Sequence, residues 1–271
     1  MATSTRIDTA AADAYERDMV PGMFRHWTEM LVEIAAPRAG EHVLDVACGT
    51  GIGARLAADA AGEAGRVAGL DIDAGVIEYA RQLTRDATHA MEWHCASALE
   101  MPFESATFDL CLCLQGLQFF PDRVKGLTEI RRVLKPGGRL VASIWGPLEH
   151  NKGHEAVVQA LERGGVDASA AKRACSFTDP DAIRDAAAKA GFTRTDLRSV
   201  DGRARFASVD SFLNGMTKGS PSTRHAVALL SDDARGRFFD DVRAALVPYM
   251  DSGLLAYPMR THILVAHAAP N

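Results

Sequence analysis

From about residue 10 to residue 36, apolar side chains recur at three- and four-residue spacing, through Tyr15, Met19, Phe24, Trp27, Leu31 and Ile34. That period predicts an amphipathic helix, with Pro21-Gly22 expected to break it into two pieces. After Pro37 and Gly40 the texture changes. Short runs that are apolar on both faces (HVLDVA, RVAGLDI, MEWHCA, FDLCLCLQ and GRLVASIW) alternate with helical stretches from about Ile52, over 74–88 and over 124–134. Such alternation is what a parallel sheet covered on both sides requires. KPGG, residues 135–138, ends a helix and turns the chain into the last of these strands.

Beyond Trp145 the alternation loosens. GPLEHNKGH reads as a loop, followed by a helix of small residues to about Gly164 and another over 179–190, stopped by Gly191. Two strand-like stretches remain, 192–200 and THILVAHA at 261–268, with mostly helix over 208–250 between them. The pattern predicts an α/β protein built on one doubly wound sheet. Its expected organisation is a single domain over 1–271, with lid elements 1–36, 147–175 and 205–258 over a core of 37–146, 176–204 and 259–271.

Composition narrows the partners. The 271 residues are 47% hydrophobic and 24% charged, with a net charge of −5. This is a poor match to a nucleic-acid binder, which carries a clustered basic face. The five cysteines have no C-x-x-C or His-pair spacing, so no metal site is expected and the thiols should be reduced. The N-terminus lacks a basic region followed by an apolar core, and no apolar run reaches membrane-spanning length. A cytoplasmic protein without a membrane partner is expected, either a monomer or a homodimer.

VLDVACGTGIG, residues 43–53, carries the chemistry. Glycines after the first strand let the backbone bend sharply and approach a ligand, and the following helix offers unpaired N–H groups. Gly49, Gly51 and Ala54 fit the dinucleotide pattern G-x-G-x-x-A. Asp71, about 20 residues further on at the end of the second strand, is placed to accept both hydroxyls of a ribose. Alternatively it caps the next helix, a task that suits Asp73 better. Asp45 separates the nucleotide candidates. A carboxylate before the glycines repels a pyrophosphate and welcomes a ligand with an ammonium and a sulfonium, as in S-adenosylmethionine.

Here the sequence resembles the class I S-adenosylmethionine-dependent methyltransferases, in particular the small-molecule branch that contains the ubiquinone/menaquinone methyltransferases. Four blocks carry the resemblance in order: VLDVACGTG, VAGLDID, SALEMPFESATFDLCLCLQGLQFFPD and EIRRVLKPGGRLVASIW. It implies a Rossmann-like, mostly parallel seven-stranded sheet with an antiparallel last strand and a helical lid. It also implies that Asp45, Ala47, Gly49 and Gly51 surround the methionine portion of S-adenosylmethionine. Asp71 would hold the ribose and Ile72 the adenine, with Ser97 and Ala98 at the adenine edge and Leu99 nearby. Gln115 would sit beside the sulfonium, and Tyr15 resembles a lid tyrosine that closes over the cofactor. Two departures stand out. Ala47 replaces a customary glycine, and Ser97 a customary aspartate, so the adenine amino group meets a hydroxyl without charge.

The implied reaction is methyl transfer to an oxygen, carbon or nitrogen of a small acceptor, leaving S-adenosylhomocysteine. Some relatives with this fold instead catalyse cyclisation or rearrangement. Gln115-Gly116-Leu117-Gln118 at the end of the fourth strand lacks the Asn-Pro-Pro-Tyr type of sequence associated with amide or nucleobase nitrogens. Phe24, Trp27, Phe119 and Trp145, with Phe206 and Phe212, are candidate walls for a flat acceptor of aromatic, polyketide, quinone or terpenoid type, as in secondary metabolism. His150 and His154, just past the fifth strand, are the candidates for a base, His150 foremost; Gln118 is the candidate for orienting the acceptor.

Overall fold

The protein is described here by a computed structural model covering residues 9–270. Residues 1–8 of the expected lid lie outside the described residues. The N-terminal helix runs as α1 (Ala10–Ala14), a π-helical stretch (Tyr15–Phe24) and α2 (Arg25–Ala35). Pro21 does not break it. The proline lies inside the π stretch, where the wider i→i+5 turn accommodates a residue that cannot donate to an α ladder. Gly22 has a packing role: a Cβ there would stand 2.4 Å from the ring of Phe206.

The sheet is built from β1 (His42–Val46), β2 (Arg66–Asp71), β3 (Met91–Cys95), β4 (Phe108–Leu114), β5 (Leu134–Trp145), β6 (Arg194–Phe206), β7 (Met250–Asp251) and β8 (Leu254–His267). Its order is β3-β2-β1-β4-β5-β8-β6, with β7 paired to β8 off this path. The first five strands pair in parallel, and β8 enters antiparallel between β5 and β6. Seven strands on one path with an antiparallel last strand is the expected architecture; the two-residue β7 is an addition. The chain leaves β1 toward β2 and β3, then returns to place β4 on the other side of β1. That reversal puts the switch point, where ligands of such sheets bind, beyond the carboxyl ends of β1 and β4.

Alternation along the strands sorts the core into two layers. Leu44 and Val46 pack with α5 (Arg123–Val133) and α8 (Pro180–Lys189) on one face. Val43 packs on the other face with α2, α3 (Ile52–Ala61) and α4 (Ala74–Leu83). With a side-chain period of two, Asp45 falls on the α3 face. That helix is where it is needed.

β6 and β8 run further than the pattern indicated, by six residues at the end of β6 and seven at the start of β8. The extension pairs Arg203 with Pro258 and Phe206 with Leu255. It projects a ribbon whose inward residues Ala204, Phe206, Leu255 and Tyr257 are buried in a third core. Over this ribbon lie α6 (Lys152–Arg163), α7 (Ser169–Lys172), α9 (Val209–Asn214), α10 (Pro221–Ala228) and α11 (Asp232–Leu246). Phe206, Phe212 and Tyr257 form a ring cluster with centroids 5.2 to 6.2 Å apart. Phe206 and Phe212 therefore belong to the packing beneath the roof.

Because Gly22 lets Phe206 sit against the π stretch, Gly22→Ala should overpack this junction. The expected loss is about 1–3 kcal/mol, read as a lower urea midpoint with an unchanged denaturant slope.

Candidate active site

The turn from β1 into α3 is shaped by two carboxylates. Asp45 is 1% exposed; its Oδ2 accepts the Ala54 N–H at 2.8 Å, while Oδ1 is sealed from solvent and has no partner. Asp71 Oδ2 accepts the Gly49 N–H at 3.0 Å, and its Oδ1 accepts from the Asp73 amide at 3.0 Å. The capping alternative for Asp71 falls away, because Asp73 accepts the Gly75 and Val76 amides as the N-cap of α4. A carboxylate offers about four lone-pair sites, so Asp71 keeps capacity for the hydroxyls of a ligand.

The glycines do different work. Gly49 and Gly51 have φ of +54° and +85°, the left-handed region open to glycine. A Cβ on Gly49 would meet nothing within 4 Å, whereas one on Gly51 would strike Trp93 at 2.2 Å. Gly49 thus faces open space where a ligand approaches, and Gly51 is packed from behind by β3. Gly53, third in the series, makes room for Asp45 itself: its Cβ would lie 2.6 Å from Oδ2. Ala47 and Gln115 also take positive φ, both 56°. Two strained non-glycine residues at the ends of adjacent strands mark the same edge.

Beside this edge opens a cavity of about 640 Å³, within the range of small-molecule sites. Its wall includes Ala47, Gly49, Asp71, Ile72, Ser97 and Ala98, followed by Leu99 and Gln115. Ile72 is 76% exposed and Phe119 47%, large apolar side chains that a flat ligand would cover. Ser97 Oγ accepts the Leu99 N–H at 3.1 Å, so its proton remains available to a ligand. Tyr15 faces the cavity and its ring lies 5.1 Å from that of Phe24. Burial, then the Glu16, Asp71 and Asp45 carboxylates, push its hydroxyl far above the ordinary range, so it stays neutral. Phe24, Phe119 and Trp145 complete the apolar part, with Met19, Val157 and Met216.

Other candidates lie elsewhere. Asp45 and Gly51 sit beneath the turn, off the cavity wall. Trp27 is one ring behind it, edge-on to Trp145 at 6.0 Å and packed against Gly202. Gln118 is buried behind Gln115, to which its Nε2 donates at 3.2 Å; Gln115 in turn donates to Ser143 and Thr261 at 3.1 Å each. Gln118 therefore braces Gln115 instead of facing an acceptor. His150 is also off the wall, its Nε2 3.3 Å from the Arg260 guanidinium, which pairs with Asp201. The turn 148–150 directs it along β8. Two histidines line the wall: His225 is exposed on α10, whereas His154, one turn into the helix after 148–150, is 8% exposed and 5.9 Å from the Trp145 ring. Burial lowers its pKa to about 4, and its Nδ1 has no partner. Among the described residues no cluster of three or more His, Cys, Asp or Glu could hold a metal.

One contact had no signal in the sequence. Glu16, beside Tyr15, accepts from Thr50 Oγ1 at 2.5 Å and from Arg55 at 2.6 Å. It fastens the N-terminal helix across the glycine turn.

Residues 44–142 match a family profile described as "Methyltransferase domain". Among curated proteins, the chain is 33% identical over 150 residues to 2-phytyl-1,4-beta-naphthoquinone methyltransferase, chloroplastic, of Arabidopsis thaliana, covering 54% of this chain and 56% of that protein. It is 38% identical over 122 residues to the demethylmenaquinone methyltransferase of Lactiplantibacillus plantarum, covering 44% and 52%. The chain thus spans about half the length of the curated relatives it matches. In fold it is similar to phosphoethanolamine N-methyltransferase 2 of Haemonchus contortus in complex with S-adenosyl-L-methionine, at a TM-score of 0.62 and 18% identity, covering 99% of this chain and 59% of that one. Residues 44–142 are thus similar to a methyltransferase domain, and the described chain shares its fold with a solved methyltransferase.

Burial raises the Asp45 pKa to about 7, with Asp71 adding to the effect and the Ala54 N–H opposing it. The folded state therefore holds a proton that the unfolded chain releases near pH 4. Stability from this group is complete below pH 4 and is lost as pH rises to about 7. In the ligand-free protein, the slope of unfolding free energy between pH 4 and 7 should be more negative for wild type than for Asp45→Asn, measured by urea unfolding. Equal slopes would remove the assignment.

Proposed function

We propose that this protein is an S-adenosylmethionine-dependent methyltransferase, cytoplasmic, acting on a small flat acceptor of the aromatic, quinone, polyketide or terpenoid kind. The observation that carries the reading is the pair Asp45 and Asp71 at either side of a glycine turn that opens into one cavity. The residues present fit such a cofactor. Asp71 would accept from the ribose and Ile72 would lie against the adenine, with Ser97 and Ala98 at its edge. Ala47 and Gly49 would leave room for the methionine portion, and a cationic group bound there would favour the ionised form of Asp45, whose Oδ1 is unpartnered beneath the turn. The names of the curated relatives favour a quinone-like acceptor.

When bound, the cofactor supplies an electrophilic methyl on a sulfonium. The chain has to align a nucleophile with it, a positioning task. Leu114, Trp145 and Val157 exclude water around the acceptor, and Tyr15 with Gln115 bounds the sulfonium side. His154 replaces His150 in the polar role. With a pKa of about 4 it cannot deprotonate a phenol of pKa ~10 in advance, a step uphill by about 8 kcal/mol. It instead accepts a hydrogen bond from the acceptor O–H, which becomes acidic as the oxygen gains its methyl.

Calorimetric titration should give micromolar-range affinity for S-adenosylmethionine, and Asp71→Ala should weaken it by a hundredfold or more; unchanged affinity would remove the ribose assignment. A methyl-labelled donor, incubated with hydroxylated quinones and phenols, should transfer label; a product formed without label would point to rearrangement. On an acceptor so found, His154→Ala should lower kcat by about tenfold to a hundredfold. Between pH 5.5 and 8 the rate profiles of wild type and His154→Ala should have the same shape, because the imidazole is neutral throughout. A rate limb near pH 6.5 tied to this residue would refute its buried placement.

A further inference from the structure

The cavity assigned above to cofactor and acceptor is divided in charge, and the following rests on that assignment. On the sheet side its ionisable side chains are Asp71 and Asp73; on the lid side they are Arg173, Arg224 and two histidines, with no carboxylate among them. Arg173 stands in the turn after α7, and Arg224 in α10, and these two helices pack on each other. The Arg173 turn also packs against residues 117–119, where Phe119 is half exposed at the rim.

Neither guanidinium has an ion pair, hydrogen bond or ring contact among the described residues. Elsewhere on the same lid Arg163, Arg235 and Arg243 are each paired with an aspartate, while Arg237 on α11 is unpaired but does not line the cavity. In a protein of net charge −5, carboxylates are not scarce. Both are exposed, and two arginines at the mouth of an apolar cavity with no partner in the chain are free to meet a ligand's anionic group.

We propose that Arg173 and Arg224 form an oxyanion-binding rim, so that the acceptor is an apolar ring system bearing a carboxylate or similar anionic group. The planar guanidinium fork matches such a group with paired, charge-assisted hydrogen bonds. The acceptor body then lies inward against Trp145, Val157 and Met216, with its anionic end at the lid. The charge division fixes orientation, since an anion turned toward the sheet would face Asp71 and Asp73. The one competing anion is the carboxylate of the cofactor's own methionine tail, and the experiment separates the two.

The probes are anilinonaphthalene sulfonate, an anionic fluorescent ring system, and N-phenylnaphthylamine, its neutral counterpart. Both are titrated into protein saturated with S-adenosylhomocysteine, and into the free protein. In the double variant Arg173→Gln/Arg224→Gln, affinity for the anionic probe should fall about tenfold or more. Affinity for the neutral probe and for S-adenosylhomocysteine should stay within twofold, and Arg163→Gln should change none of them. The proposal is overturned if the anionic probe does not bind wild type, if its affinity survives the double variant, or if the neutral probe loses as much. It is equally overturned if S-adenosylhomocysteine affinity falls, which would give the arginines to the cofactor tail. Failure of the methyltransferase reading would look different: no S-adenosylhomocysteine binding in wild type, with the probe titrations of free protein unaffected.

Discussion

The architecture depends on backbone N–H groups of one turn being held by carboxylates from two neighbouring strands. Asp45 takes the Ala54 amide at the start of α3, and Asp71 takes the Gly49 amide in the turn itself. Between them the chain makes few bonds of its own, chiefly Gly51 N–H to Cys48 O at 2.9 Å and Cys48 N–H to Leu70 O at 3.0 Å. With left-handed backbone at Ala47, Gly49 and Gly51, such a segment has many alternatives. The two carboxylates select one. The selection is opposed by desolvation, visible in the raised pKa of both acids, because removing a charge from water is unfavourable unless it is paired. A cationic ligand would offset that penalty, so the feature that strains the free protein is the one that favours occupancy.

The lid is tied to this turn by consecutive parts of the π stretch. Glu16 reaches Thr50 and Arg55, Tyr15 faces the cavity, and Asp18 accepts from Ser211 and Asn214 on α9. An α-helix would put residues 15, 16 and 18 at 100° steps, whereas the wider π turn changes their phase. Three directions are served within four residues: glycine turn, cavity and roof. Gly215 and Gly219 let this stretch close against the segment after α9, where a Cβ would meet Met19 at 2.7 Å and the Tyr15 backbone at 2.9 Å. The cofactor side and the roof are therefore one packed unit at the N-terminus.

What the sequence shows directly is what local rules govern. The β1, β2 and β4 runs are apolar on both faces, and Asp73 followed by small residues is a helix cap, so the parallel strands themselves and the division of labour between Asp71 and Asp73 follow from short-range pattern. Pro21 misled because the breaker rule assumes an α ladder. The longer β6 and β8 were hidden because residues 201–206 read DGRARF, polar and small by turns, and acquire their strand state only by pairing with 254–260. His150 and His154 are four residues apart, and only the short turn at 148–150 and the burial of Gly153 against Tyr257 decide which faces the cavity. Gln118 and Glu16 have no pattern at all, since each acts through a side-chain partner set by tertiary packing.

The same contrast bears on how the two halves of the cavity vary. The sheet-side wall is part of the two cores that hold the parallel strands, so a change in shape there disturbs the fold. The roof wall belongs to a third core, formed by the β6–β8 ribbon and the late helices. Trp145 joins the systems: it ends β5, and it touches Phe24, Trp27 and His154. A substitution in α6, α7 or α10 can reshape the acceptor chamber while leaving the glycine turn and its carboxylates in place. On the proposed assignment, acceptor recognition falls on the part of the molecule with the weakest local sequence rules, and its chemistry would be read from side chains such as Arg173 and Arg224 that the chain leaves unpaired.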